Sequence, residues 1–225
     1  MENLKMKHIF LLLTGYSIAM ALLEAAVVVY MRRLYYPDNL LELFPLQFLR
    51  DYDPILELSR EVATVVMILT VALLAERKTL TRSFAAFVFV FGVWDLFYYV
   101  WLKVLIDWPR SWLEWDVLFL IPMVWLGPWI CPALISLLFI VWGGWVLSSQ
   151  RTVVFSTRSL TVFILGAVVG LISFMQPALA IGAWTPSGTD LLANYTPGDF
   201  WWLSYGISFI LMSTGFAMTS AKAPG

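Results

Sequence analysis

The chain is poor in the residues that build most metal and redox sites. Its single cysteine, Cys131, excludes an intrachain disulfide and any cysteine cluster. Its single histidine, His8, lies at the edge of the first apolar run. Haem, copper, di-iron and most zinc centres draw on several imidazoles or thiolates, so the sequence calls for no cofactor. Any metal would need oxygen ligands from carboxylates, and none is expected. Charge is scarce as well: 13% of residues are Asp, Glu, Lys or Arg, roughly half the share in a soluble domain. A formal net charge of −1 offers no basic face for nucleic acid. No Walker loop, metalloprotease helix, nucleophile elbow or dinucleotide fingerprint is present. No repeat or linker divides residues 1–225, which read as one integral-membrane domain.

What the chain has in excess is apolar sequence, 61% of its residues, in blocks too long for soluble core helices. About 20 such residues cross the hydrocarbon core of a bilayer. Six blocks reach or approach that length: about 9–30, 54–75, 83–106, 128–147, 160–182 and 200–218. The expected fold is therefore an all-α, polytopic membrane bundle of about six transmembrane helices. Lys5 and Lys7, followed by an apolar run and Ala19-Met20-Ala21, resemble a cleavable signal. The run continues to Tyr30, a full membrane length, so a membrane helix is expected instead.

Basic residues set the orientation. With the N-terminus inside, the cytoplasmic segments carry Lys5, Lys7, Arg77, Lys78, Arg82, Arg151, Arg158 and Lys222, while the outer loops carry Arg32, Arg33, Arg50 and Arg110. Eight against four predicts both termini in the cytoplasm, with a plasma (inner) membrane the expected location. The outer face is then acidic, with Asp38, Glu42, Asp51, Asp53, Asp107, Glu114, Asp116, Asp190 and Asp199. It is also rich in the aromatic rings that anchor at membrane interfaces, among them Trp108, Trp112, Trp115 and Trp184. The first outer loop, 31–53, mixes Leu40, Leu43, Phe44 and Phe48 with charges and is expected to lie on the membrane.

Two regions stand out. From Val117 to Leu147 the chain is apolar for longer than one span needs, and Pro122, Gly127, Pro128 and Pro132 punctuate it. Proline removes a backbone donor and clashes with the preceding turn. A Pro/Gly-broken region is therefore predicted before the fourth span, as a short helix or re-entrant piece. Broken backbone at membrane depth must be buried in protein or line a wet cavity. In the fifth and sixth spans, Gly166 with Gly170 and Ser204 with Ser208 form small-residue faces that allow close helix approach.

The second region is a set of ionisable groups inside spans, where each is expensive. Glu24, Glu61 and Asp95 fall in the first three spans, and the topology places all of them in the outer half. Glu57, Arg60, Glu61 and Thr64 share one face of the second helix, and Asp95, Tyr98, Tyr99 and Lys103 form a stripe on the third. Arg60 is the natural partner for Glu61, Glu24 or Asp95. Lys103 is placed to snorkel outward. The binding or proton-relay set is thus Glu24, Arg60, Glu61, Asp95, Tyr98, Tyr99 and Lys103, with no catalytic residue assigned.

Three functions fit such a cluster. In a small-solute, cation or proton-coupled transporter, the carboxylates bind the cation or relay the proton. In a metal-independent intramembrane enzyme of isomerase or cyclase type, a carboxylate exchanges a proton with an apolar or lipid substrate. In an accessory subunit, the paired charges lock the helices and the aromatic face meets a membrane-protein partner. The lipid bilayer is a partner in all three.

Overall fold

The computed structural model describes residues 2–46, 54–149, 152–185 and 187–222. Phe48, Arg50, Asp51, Asp53 and Arg151 lie outside the described residues, as do the side chains of Lys5, Lys7 and Lys222. Among the described residues, seven helices and four short strands follow in the order α1 Glu2–Tyr35, α2 Pro54–Ala75, α3 Leu80–Ile106, β1 Trp115–Phe119, β2 Trp125–Pro128, α4 Ile130–Ser148, β3 Thr152–Val154, α5 Thr157–Ala180, α6 Gly188–Ala193, α7 Trp202–Ala217 and β4 Ser220–Lys222. The chain is mostly helical, and α1 to α5 are each long and apolar enough to cross a membrane. The sixth apolar block forms α7, which is apolar but only 16 residues long. That length is about 24 Å, short of the roughly 30 Å hydrocarbon core.

Local signals set the helix ends. The Thr79 hydroxyl accepts from the Arg82 N–H at 3.2 Å and opens α3, and Ser156 caps α5 by accepting from the Ser159 N–H at 3.1 Å. Helix α3 stops where Asp107 turns left-handed, at φ 57°, and returns its N–H to the Lys103 carbonyl.

The broken region departs from expectation. It is neither a short helix nor a re-entrant piece, but an antiparallel hairpin in which β1 pairs with β2, Trp115 opposite Pro128 and Val117 opposite Leu126. The register slips between Val117 and Phe119, as at a bulge. The prolines deny the segment a helix, and its aromatic and β-branched residues suit a pleated surface. Pairing the strands also satisfies backbone groups that no lipid could. A second small sheet, Val154 opposite Ser220, ties β3 to β4 at the far end of the bundle. The all-α expectation thus gains two small sheets, one at each end.

Small residues let the helices meet. A methyl group on Gly92 would lie 2.6 Å from the Ser136 carbonyl, and one on Gly143 would lie 2.7 Å from that of Ala85, so α3 and α4 touch backbone to backbone. Gly166 faces the Met212 N–H just as closely. The Ser208 hydroxyl donates to the Gly166 carbonyl at 2.7 Å, and Ser173 and Ser204 share a bond of 2.8 Å. The small-residue faces of the fifth and sixth apolar blocks therefore pack on each other within one chain.

At the end opposite the β1–β2 hairpin, Arg82 is buried and fully engaged. Its Nε donates to Glu76 at 2.8 Å, and its other nitrogens donate to the carbonyls of Val146, Leu147 and Ser149 at 3.0–3.1 Å. Those carbonyls lie at the C-terminal end of α4, where helical donors run out. Burial alone would raise the Glu76 carboxyl. The Arg82 hydrogen bond, the Lys78 N–H and the charges of both outweigh it and hold the group below its ordinary range.

Candidate functional site

The hairpin half of the bundle encloses a cavity of about 110 Å³. Four elements supply its walls, each through one face. Helix α1 presents Glu24, Val28 and Arg32, α2 presents Glu57, Arg60, Glu61 and Thr64, and α3 presents Trp94, Asp95, Tyr98 and Tyr99. On α1 and α2 these are positions i, i+3 or i+4, and i+7 or i+8 of a single helix face, and on α3 they are two adjacent i, i+4 pairs. Strand β1 and its exit, Asp116 to Leu120, cover the cavity, and Tyr36 and Leu43 complete it. Five carboxylates and two guanidinium groups share this space.

One end of the cavity is partly open. Arg60 bridges Glu24 on α1 and Glu57 one turn back on its own helix, the latter in a two-point contact that includes an Nε bond of 2.9 Å. The side chains of this trio keep 13–25% of their surface exposed. Glu61, by contrast, is buried, and both its oxygens accept the Leu120 N–H at 3.0 Å. A carboxylate inside α2 thereby anchors the hairpin, supplying an acceptor to the N–H that follows β1.

The other end is closed. The Asp95 carboxylate accepts one bond, from Ser136 on α4 at 2.7 Å. It lies deep in the bundle yet retains accessible surface, which faces the cavity. The rings of Tyr98 and Tyr99 stand 5.0 Å apart at 72°. Arg32 is 2% exposed. Its guanidinium lies 4.2 Å over the Trp108 ring, donates to the Leu40 carbonyl at 3.3 Å, and stands 3.8 Å from Asp116. The Nε and Nη2 of Arg32, the Oδ2 of Asp116 and the Nε1 of Trp94 have no hydrogen-bond partner. Burial pushes the Asp116 carboxyl up to about 7, although Arg32 and the Val117 N–H favour its charged form and nearby Asp95 opposes it. The Tyr99 hydroxyl also faces this carboxyl.

Of the residues singled out from the sequence, Glu24, Arg60, Glu61, Asp95, Tyr98 and Tyr99 line this one cavity. Lys103 does not line it. It pairs with Asp107 at 2.7 Å and donates to the Pro109 carbonyl, with half its side chain exposed. Arg60 takes Glu24 and Glu57, rather than Glu61 or Asp95. Two residues placed in outer loops by the sequence reading, Arg32 and Asp116, are instead buried in the cavity wall. Arg32 had a detectable signal: it stands eight residues after Glu24, on the same helical face, once α1 is allowed to run to Tyr35. Among the described residues no group of three or more His, Cys, Asp or Glu side chains is placed to hold a metal ion. No protein-family model, curated protein or solved structure matches the chain.

Proposed function

We propose that the chain is an integral membrane protein with six spans and both termini in the cytoplasm, and that it carries a small solute coupled to a cation or proton. The plasma (inner) membrane is its proposed location. The basic-residue count supports this orientation and puts the cavity in the outer half of the bilayer. Helix α7 completes the sixth crossing, with Trp201 and Trp202 at the interface where its apolar length runs out.

The observation that carries the transport reading is the state of the buried cavity end. A cluster serving only to lock helices would be dry and fully paired. Here a cavity remains, five carboxylates face two guanidiniums, and four buried polar atoms around it lack partners. Native proteins leave few such atoms, and each calls for an explanation. A solute and its coupling ion supply one.

The test is electrical. In proteoliposomes on a solid-supported membrane, a panel of small amines, carboxylates and zwitterions should include at least one that evokes a current in the wild type. Asp95→Asn should abolish that current. Silence across the panel, or full current in Asp95→Asn, sinks the transport reading.

One feature favours the acid–base enzyme as a second reading. Beyond Asp95 the helices pack through an apolar core of Ala21, Ile68, Ala86, Val90 and Val93, so the cavity is a dead end in this conformation. An enzyme needs no second exit. Conversion of an apolar substrate from a lipid extract, without any current, would select it.

A further inference from the structure

We infer that the closed end of the cavity receives the ammonium group of a small primary or secondary amine, with Asp95 as its counter-ion and the Tyr98–Tyr99 pair as its wall. The inference rests on the reading of this cavity as a solute site and names the solute's chemistry.

Charge comes first. Arg60 is bridged to Glu24 and Glu57, while Arg32 stacks on the Trp108 face and stands 3.8 Å from Asp116 with two donors unmet, and neither guanidinium is paired with Asp95. Asp95 has no basic partner among the described residues and takes only the Ser136 hydroxyl. A deep carboxylate in that position needs a proton or a cation. Among the described residues no metal-type cluster of ligands is present, and an organic cation is the better fit.

Shape comes second. Asp95, Tyr98 and Tyr99 occupy i, i+3 and i+4 of α3, so the two rings rise one turn beyond the carboxylate. Packed edge to face at 72°, they give the cavity an aromatic wall beside Asp95, and aromatic surface attracts ammonium groups.

The third observation is independent of both. Asp116 is 3% exposed and lines the same cavity, yet its Oδ2 accepts nothing. An N–H-bearing cation answers that acceptor as well as Asp95, which a quaternary ammonium could not do. The volume, about 110 Å³, is near that of an engineered cavity that admits benzene, so the amine has on the order of half a dozen heavy atoms.

The probes are propylamine, tetramethylammonium, alanine and acetate, titrated by calorimetry into the full-length protein in lipid nanodiscs. Propylamine should bind saturably, and tetramethylammonium and acetate should bind at least tenfold more weakly. Asp95→Asn should weaken propylamine at least tenfold, whereas Lys103→Gln should not change it. Should Asp95→Asn fail to fold, Tyr98→Phe and Tyr98→Leu decide the matter: the ring-preserving change should keep binding and the ring-deleting change should lose it. The inference is overturned if acetate binds as well as propylamine, if alanine binds while propylamine does not, or if propylamine ignores both Asp95→Asn and Tyr98→Leu. Propylamine binding without any current would leave this site standing and remove the transport reading. A current carried by other solutes, with no amine bound, would do the reverse.

Discussion

Two buried arginines sit at opposite ends of this bundle, and they are bonded very differently. Arg82 makes four hydrogen bonds of 2.8–3.1 Å to Glu76 and to the last carbonyls of α4. Arg32 makes one, at 3.3 Å, and its acidic neighbour stands 3.8 Å away. Both are almost entirely removed from solvent. A buried charge is tolerable when its donors are met. The Arg82 end therefore reads as a lock between the α2–α3 turn and α4. The Arg32 end lies beside a cavity whose polar groups are only partly met, which is where an incoming molecule would change the energy most.

The sharpest test of that contrast is Arg82→Leu. It leaves the buried Glu76 carboxylate without the Arg82 charge and takes a donor from the carbonyls of Val146, Leu147 and Ser149 at the end of α4. Removing one partner of a buried pair costs roughly 3–5 kcal/mol. Thermal unfolding in detergent should show this as the largest loss of any single change considered, with poor recovery of folded protein. A variant with wild-type melting would remove the distinction between the two ends.

Glu76 gives the same lock a pH signature. Its carboxyl is held below its ordinary value of 4.5. The stability that it adds is complete above that value and is lost as the pH falls through the lowered one. Glu76→Gln should cost about 2 kcal/mol at neutral pH, as expected for hydrogen bonds to a charged group. The gap between variant and wild type should close on acidification below pH 4.5. A gap that persists at low pH would mean that the charge contributes nothing.

At the hairpin end the corresponding tie is Glu61, which holds the Leu120 N–H. Glu61→Leu orphans that donor at a cost of about 1–3 kcal/mol, felt locally. Hydrogen exchange should quicken across β1 and β2 and remain unchanged around Arg82. Equal quickening at both ends would show that the hairpin is not an independent cover.

Much of the cavity lining was legible in the amino-acid sequence, and the remainder, with both buried arginines, was hidden for physical reasons. Glu24, Glu61 and Asp95 announce themselves because ionisable groups in apolar runs are rare, and helical spacing then gathers Arg60, Tyr98 and Tyr99 around them. Arg32 follows Tyr30 at the apparent end of the first block, so it resembles an ordinary flanking charge until α1 is seen to continue. The hairpin escapes because its pairs join Trp115 to Pro128 across a turn, in a stretch with no polar alternation to mark strands. Without the hairpin neither Asp116 nor the Leu120 N–H can be placed. The partner of Glu61 was therefore unreadable, and Arg60 appeared free to take it.

The smallest expected effect completes the comparison. Arg32→Met removes one long hydrogen bond and a stacking contact with Trp108, while a methionine can refill most of the volume. Asp116 is left alone, but its carboxyl already stands at about 7 and can take a proton. The net change should stay within about 1 kcal/mol near pH 6, since trading a poorly paired buried ion for apolar packing is often close to neutral. The pH dependence carries the sign. A carboxyl raised in the fold weakens stability progressively from its ordinary value of 3.8 up to its folded one. Loss of Arg32 moves that folded value higher. Wild type and variant should melt together at pH 6, and the variant should fall behind as the pH rises beyond 7. If Arg32→Met instead cost as much as Arg82→Leu at pH 6, the arginine at the hairpin end would be as firmly paired as Arg82, and the unmet donors beside the cavity would lose their significance.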